Sequence, residues 1–137
     1  KRIPGAMKVA HDRYVRRFLS RSANDNDDDD DEDGDATTTT TTKEKPRGGP
    51  AVLFVVQDGE TNTVDQRALE FALWDDHKIP VIRMSLGAAH AQLNLDETTG
   101  ALTVRPGPYS NVEREVSVVY YRAGYAPTDY PGGDDGA

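Results

Sequence analysis

The sequence contains no cysteine. This absence excludes a disulfide framework, a thiolate metal site and a cysteine nucleophile carried on this chain. No apolar run approaches the roughly 18 residues that a membrane-spanning helix needs, so we expect no membrane partner. The sequence begins at Lys1, with neither a methionine nor a signal peptide. We therefore expect a soluble chain that is part of a longer protein.

The acidic charge is confined to one segment. The net charge is -8, with 24 Asp and Glu against 16 Lys and Arg. Nine of the acids lie in residues 25–35, which leaves 24 - 9 = 15 acids against those 16 cations elsewhere. Residues 22–50 combine this acidic run with six consecutive threonines and have almost no apolar side chains. Such a composition predicts a disordered low-complexity insertion, because it cannot bury enough apolar surface to offset its ordering entropy.

Two functional interpretations of the acidic segment are weaker. Asp29, Asp31 and Asp33 fit the start of an EF-hand calcium loop, but Thr40 stands where that loop requires a bidentate glutamate. An acidic interaction protein would lose its function if residues 24–42 were deleted. We expect that deletion to be nearly silent, because long surface insertions cost little on loop closure.

The first 21 residues are basic. They hold seven Lys and Arg against one acid, and Met7, Ala10, Tyr14 and Phe18 are spaced roughly as a helical stripe. The pattern predicts a basic amphipathic helix, over residues 1–21, from a region that precedes the packed domain. Such a helix can lie on a membrane or on nucleic acid. We favour a surface helix that docks on the rest of a larger protein, and we expect no nucleic-acid partner.

Residues 51–82 predict a βαβ unit around which the domain is built. Residues 51–56 are an unbroken apolar run, typical of a strand covered on both faces. The run ends in polar residues 58–63, a helix is predicted from Val64, and Pro80 blocks its continuation before the strand VIRMSL. The crossover makes the two strands parallel. The helix residues predicted to face the sheet are Val64, Ala68, Phe71 and Ala72, with Leu69, Leu73 and Trp74 beside them.

The remaining elements follow from shorter patterns. Residues 87–92 form a short helix or a loop, and His90 within them is expected to be a surface residue. Residues 93–104 predict a hairpin, residues 105–115 a loop, and residues 116–121 another strand. The sequence thus predicts an α/β domain over residues 51–130, followed by a flexible tail over residues 131–137.

Two polar loops follow predicted strands. We call GETN, residues 59–62, the first polar loop, and RAGY, residues 122–125, the last polar loop. Ligands of open parallel sheets bind beyond the carboxyl ends of the strands. Glu60 can accept from an ammonium group, Asn62 can donate and accept, and Arg122 matches a carboxylate bidentately. Gly124 permits close backbone approach, and Tyr125 adds a ring with a hydroxyl group. These residue types suit an amino-acid-like ligand.

Structural interpretations of the same residues stay open at this point. Thr63 and Gln66 match a capping box, in which the glutamine begins the helix and binds no ligand. Asn62 is an alternative cap. Arg122 can pair with Asp58 or with the glutamate two residues after it, and the last polar loop can be a turn alone.

The combination of VVQDGETNTVDQRALEFALWDDHKIPVIRMSL, a hairpin ending in LTV, and VSVVYYRAGYAP resembles the substrate-binding domain of eukaryotic-type glutathione synthetase. The resemblance covers about residues 51–130, and AHDRY at residues 10–14 is similar to the end of the helix before that domain. It implies a three-layer α/β/α, Rossmann-like domain beside an ATP-grasp body. It also implies a cytosolic homodimer that ligates γ-glutamylcysteine to glycine through an acyl phosphate, with ATP and Mg²⁺.

The resemblance carries the family's substrate contacts onto eight residues. They are Glu60, Thr61, Asn62, Gln66, Arg122, Ala123, Gly124 and Tyr125. Ala123 stands where the family often has Asp, and Thr61 where a basic residue is common. Nothing in the sequence resembles the nucleotide loop or the magnesium ligands, so the resemblance assigns no catalytic and no metal residue here. We expect no ligase activity from this chain alone. The alternative function is a non-catalytic Rossmann-like binding or dimerisation module.

Overall fold

The computed structural model describes residues 2–24, 47–61, 63–105 and 112–130. Within them the chain forms three α-helices, one five-stranded sheet and a short 3-10 helix. The elements in chain order are α1 (Arg2–Asn24), β1 (Arg47–Val55), α2 (Val64–His77), β2 (Val81–Met84), α3 (Leu86–Gln92), β3 (Leu93–Leu95), β4 (Leu102–Val104), β5 (Glu113–Tyr121) and the 3-10 helix Pro127–Asp129.

The sheet is mixed and mostly parallel. Its strand order is β2-β1-β5-β4-β3, and β1 pairs in parallel with both β2 and β5. The β3–β4 hairpin joins the far side of β5 through antiparallel pairing. The predicted βαβ unit and the hairpin are therefore confirmed, and the structure adds that the first and last strands run parallel. α3 confirms the helical alternative for residues 87–92, and His90 is exposed, as predicted.

The core lies on both faces of β1, because successive side chains of a strand point to opposite faces. One buried cluster comprises Met7, Val52, Phe54, Val56, Leu73 and Ile79. The other comprises Leu53, Val55, Met84, Ala89, Val104, Val116 and Ala123. α1 and α2 contribute to the first cluster and α3 to the second. We therefore call these two sides of the sheet the α2 face and the α3 face.

The N-terminal helix packs on this domain itself. α1 contacts β1, α2 and β5, and Met7 is buried in the core. Nδ1 of His11 lies 2.7 Å from Oγ of Ser117, while Tyr14 donates to Glu115. The predicted docking on the rest of a larger protein is therefore wrong for this face of the helix, which covers the sheet. The helix also continues beyond residue 21, to Asn24.

α2 turns a different side to the sheet from the one that the apolar stripe predicts. Val64 is 76% exposed and Phe71 60% exposed, whereas Gln66, Glu70 and Leu73 are buried. These three residues lie at positions i, i+4 and i+7, which share one side of a helix. The predicted face is wrong because polar partners inside the domain allow Gln66 and Glu70 to be buried, which apolar periodicity cannot detect.

Several predicted boundaries also change. The predicted insertion over residues 22–50 is wrong at both ends, because α1 includes residues 22–24 and β1 includes residues 47–50. Its remaining residues, 25–46, lie outside the described residues. The loop predicted over residues 105–115 is wrong from residue 113 onward, where β5 begins. The predicted tail, residues 131–137, lies outside the described part of the chain.

Candidate functional site

The two polar loops lie side by side at one edge of the sheet. Val55 and Tyr121, the last residues of β1 and β5, are partners in a parallel pair. The amide of Arg122 donates to the carbonyl of Val55 over 2.7 Å and extends the pairing by one residue. Both loops therefore leave the sheet at the same carboxyl edge.

Glu60 and Gln66, two of the predicted site residues, are joined directly. Nε2 of Gln66 donates to Oε2 of Glu60 over 3.0 Å, and Gln66 is 0% exposed. Thr63 occupies the N-cap position of α2 with no side-chain capping hydrogen bond. The capping-box interpretation is therefore wrong, because the Gln66 side chain turns toward the first polar loop and away from the helix terminus.

An arginine that the sequence analysis did not single out holds the other end of this amide. Nη2 of Arg83 donates to Oε1 of Gln66 over 2.6 Å. Nε of Arg83 also lies 3.8 Å from Oε1 of Glu70, whose other oxygen accepts from Arg67 over 2.8 Å. The half-buried Arg83 thus has an anion on one side and a carbonyl oxygen on the other. Its register partner is Phe54, so the network lies on the α2 face.

Arg122 lies on the same face as this network. Ala123, the next residue, is buried in the α3-face cluster, and Tyr120 packs its ring edge against Phe54 on the α2 face. Strand alternation therefore places Arg122 on the α2 face. Within the part of the chain that the structure describes, Arg122 pairs with neither Asp58 nor Glu60. The ion-pair interpretation of Arg122 is thus wrong for the described residues.

The last polar loop folds around a carboxylate from its own end of the chain. Oδ2 of Asp129 accepts from the amides of Gly124, Tyr125 and Ala126, over 2.8, 2.9 and 3.3 Å. Hydrogen bonds from these amides, and from the side chain of Gln57, hold the pKa of the Asp129 carboxyl below its usual range. The charged carboxylate therefore fixes the backbone of the loop and connects it to the end of β1.

A cavity of about 340 Å³ lies between the residues that follow β1, the start of α3 and the 3-10 helix. Its polar lining includes the side chains of Gln57, Asp58, Ser85 and Asp129. Leu86 and Tyr130 also line it. Since Leu86 belongs to the α3-face core, this cavity lies across the sheet edge from Glu60 and Arg122.

The other predicted site residues are spread along the two loops. Thr61 is exposed and Tyr125 is 75% exposed, so both are accessible to a ligand. Ala123 is buried in the core, which leaves only its main chain for a contact. Gly124 is half-buried and has a φ of 99°. Asn62, both as a ligand contact and as a cap, lies outside the described residues.

Sequence reasoning missed Arg83 and Asp129 for different reasons. Arg83 interrupts an apolar strand, and an arginine there is a signal of a buried polar partner. Asp129 follows a glycine and a proline by a few residues, which is a setting where aspartate caps backbone amides. Neither signal identifies the groups that the side chain binds.

Comparison with known proteins supports the resemblance seen in the sequence. Residues 50–136 match the model of the family described as eukaryotic glutathione synthase. The chain belongs to this family.

Three relatives give the extent of the similarity. Glutathione synthetase of Dictyostelium discoideum is 43% identical over 86 residues, 61% of this chain and 17% of that protein. The glutathione synthetase large chain of Schizosaccharomyces pombe is 39% identical over 82 residues, 60% of this chain and 16% of that protein. A protein of Solanum lycopersicum named "Glutathione synthetase, chloroplastic" is 38% identical over 79 residues, 58% of this chain and 13% of that protein. The chain thus spans about one sixth of the first two relatives.

Among the described residues, no three His, Asp or Glu side chains are grouped so as to hold a cation. The carboxylate of Glu60 accepts from the Gln66 amide nitrogen, and that of Glu70 accepts from the Arg67 guanidinium group. The helices in this part of the chain include none long and apolar enough to cross a bilayer.

Proposed function

We propose that this chain is the substrate-binding part of a glutathione synthetase and holds γ-glutamylcysteine during its ligation to glycine. The observation that carries the proposal is the placement of Glu60 and Arg122 on one face of one sheet edge, inside the segment that matches the family. An acid and a cation at one edge of the sheet suit a zwitterionic ligand, whose ammonium and carboxylate ends need opposite charges. No ion pair joins the two described side chains.

The roles of the acid and the cation follow from their chemistry. Glu60 accepts hydrogen bonds from the ligand ammonium group, and Gln66 holds this carboxylate in place. The planar guanidinium of Arg122 binds a ligand carboxylate through two parallel hydrogen bonds. Because Gln66 has no exposed surface, an incoming ligand meets Glu60 before it meets the amide.

The other contacts surround this pair. Further contacts come from the side chains of Thr61, Asn62 and Tyr125. Main-chain groups come from Ala123 and Gly124. The Gly124 amide is already bound by Asp129, so a main-chain contact there is made by its carbonyl group, whose oxygen accepts from the Tyr130 hydroxyl group and has a second lone pair. The proposed substrate-binding residues are thus Glu60, Thr61, Asn62, Arg122, Ala123, Gly124 and Tyr125, with Gln66 acting through Glu60.

We place the rest of the reaction in other parts of a longer enzyme. Residues 51–130 form a three-layer, Rossmann-like substrate domain, and an ATP-grasp region beside it binds ATP and Mg²⁺. Bound there, these groups supply the phosphoryl group and the charge stabilisation that activate the cysteinyl carboxylate. The glycine amine then attacks the acyl phosphate and inorganic phosphate leaves. The enzyme is a cytoplasmic homodimer, and this chain alone has no ligase activity.

The decisive experiment compares two arginine variants of the longer enzyme. We expect Arg122→Ala to raise the KM for γ-glutamylcysteine by about 10- to 100-fold, since a charge-assisted hydrogen bond contributes roughly 1.5–3 kcal/mol. The KM for ATP should change little. Arg105→Ala is the matched control, because Arg105 is an exposed arginine that follows β4 at the opposite edge of the sheet.

The alternative is a non-catalytic binding or dimerisation module that retains the same scaffold. It predicts that Arg122→Ala and Arg105→Ala leave the KM for γ-glutamylcysteine equally unchanged. That result would overturn the substrate-binding proposal. ATP- and glycine-dependent product from the purified chain would overturn the prediction that it is inactive alone.

A further inference from the structure

The backbone of the last polar loop is held by one side chain that the substrate contacts above do not include. Three consecutive amides, those of Gly124, Tyr125 and Ala126, point at the same oxygen of Asp129. Successive amides that converge on one point form an anion-binding concavity. In this protein the anion in the concavity is the chain's own carboxylate.

The position of Asp129 is itself fixed. Its amide donates to the carbonyl of Ala126 over 3.0 Å, and the amide of Tyr130 donates to the carbonyl of Pro127 over 3.0 Å. The residues from Pro127 to Asp129 form the 3-10 helix that these bonds close. The hydroxyl group of Tyr130 also donates to the carbonyl of Gly124 over 3.4 Å. The carboxylate is therefore part of a short closed turn rather than a mobile side chain.

Beyond the burial of Ala123 and the bond from Tyr130, the Asp129 carboxylate is what restrains the loop among the described residues. Tyr125 is largely exposed, and Gly124 has a positive φ that an unrestrained chain has no strong reason to keep. The loop begins directly at Arg122, whose own amide is tied to Val55. Fixing residues 124–126 therefore limits how far the chain on the carboxyl side of Arg122 can rotate.

We propose that Asp129 is a positioning residue for the substrate site, holding the last polar loop so that Arg122 and Tyr125 face the ligand. The inference rests on the proposed function above. It also assigns the ligand carboxylate to the Arg122 guanidinium and not to the loop amides, because Asp129 occupies those amides. Asp129 itself does not touch the substrate.

The test measures kinetics of the longer enzyme that contains this chain. We expect Asp129→Ala to raise the KM for γ-glutamylcysteine by about tenfold, because misplacing a binding group weakens a contact whose geometry matters. The KM for ATP should change less than about twofold. Asp129→Asn retains an oxygen acceptor without the charge, so it should restore part of the affinity.

Asp96→Ala is the matched control. Asp96 accepts from the amides of Thr98 and Thr99 over 2.9 and 3.1 Å, in the β3–β4 turn. Asp96→Ala therefore removes the same kind of hydrogen bond, from backbone amides to a carboxylate. Its hairpin pairs with β5 near Glu115, six residues before Tyr121 and about 20 Å along the strand at roughly 3.3 Å per residue. A general loss of stability would affect both aspartate variants, whereas positioning affects only Asp129.

The outcomes separate this inference from the proposed function. If Arg122→Ala raises the KM for γ-glutamylcysteine but Asp129→Ala and Asp129→Asn do not, Asp129 is not a positioning residue and the proposed function stands. An equal rise with Asp96→Ala also overturns the positioning role. If Arg122→Ala has no effect, the proposed function and this inference fall together. Where Asp129→Ala does not fold, Asp129→Asn carries the same comparison.

Discussion

Arg83 donates to Oε1 of Gln66 over 2.6 Å, although Gln66 has no exposed surface. This bond fixes the orientation of the amide, since the oxygen must face the guanidinium and the nitrogen must then face Glu60. A side chain on β2 thereby determines how the first polar loop, at the end of β1, presents its carboxylate. The bond between Gln66 on α2 and Arg83 on β2 thus supports the first polar loop of the candidate site.

We expect Arg83→Met to lower the free energy of unfolding by about 2–3 kcal/mol, since it leaves the buried Gln66 oxygen without its donor and removes one of the two cations beside Glu70. Arg67→Met is the control, because Arg67 also binds Glu70 but its side chain is 56% exposed. Arg67→Met should lower the free energy of unfolding by no more than about 0.5 kcal/mol. Urea unfolding of the two variants measures the difference in the free energy of unfolding. Equal losses would mean that the hydrogen bonds of Arg83 contribute no more to stability than the exposed Arg67–Glu70 pair.

Leu73 and Trp74 test which side of α2 is buried. Leu73 is 0% exposed and Trp74 is 53% exposed. We expect Leu73→Ala to cost about 2–5 kcal/mol, as deletion of a buried leucine leaves a cavity. Trp74→Ala should cost about 1 kcal/mol or less, although its ring is larger and lies 5.9 Å from the Lys78 ammonium group. Thermal unfolding that ranks the two variants in the reverse order would contradict the burial of Leu73 and the exposure of Trp74.

Gly124 and Gly87 should respond to alanine with opposite signs. Gly124 has a φ of 99°, and a Cβ there would lie 3.1 Å from the Tyr130 hydroxyl group. Gly124→Ala should destabilise the chain by about 1–2 kcal/mol. Gly87 is in α3, where the nearest atom to a Cβ is 4.0 Å away. Gly87→Ala should stabilise it by about 0.5–1 kcal/mol. Chemical denaturation of both variants decides this, and a neutral Gly124→Ala would contradict the strain argument.

His11 makes the packing of α1 dependent on pH. Burial lowers its pKa below the usual 6.5, Lys8 lowers it further, and Asp12 opposes both. Between the folded and unfolded pKa values the unfolded chain binds more protons. The contribution of His11 is therefore complete above about pH 6.5, declines as the pH falls through the folded pKa, and then levels off.

Unfolding curves at pH 8, 7, 6 and 5 measure this dependence. His11→Gln should lose less stability than the unmodified chain over that range. The exposed His90 supplies the control, and His90→Gln should behave like the unmodified chain. The explanation fails if the loss of stability on acidification is the same with and without His11.

The periodicity of the sequence predicted most elements because each has one dominant local signal. The apolar run of β1, the block at Pro80 and the hairpin before Val104 all appear in the structure close to the predicted positions. The predictions that failed depended on partners distant in sequence. Residues 47–50 have no apolar pattern, and they join β1 because Gly48 pairs with Arg114 on the neighbouring strand.

The same distinction between local signals and distant partners applies to the candidate site. The sequence by itself determined that polar loops follow the first and last strands, and which acid and cation they carry, because residue type and strand polarity are local properties. Only the tertiary structure decided that Gln66 binds Glu60 and that Asp129 closes the last polar loop. A hydrogen bond forms only when its donor and acceptor are placed to within a few tenths of an ångström. That placement is determined by packing and not by composition.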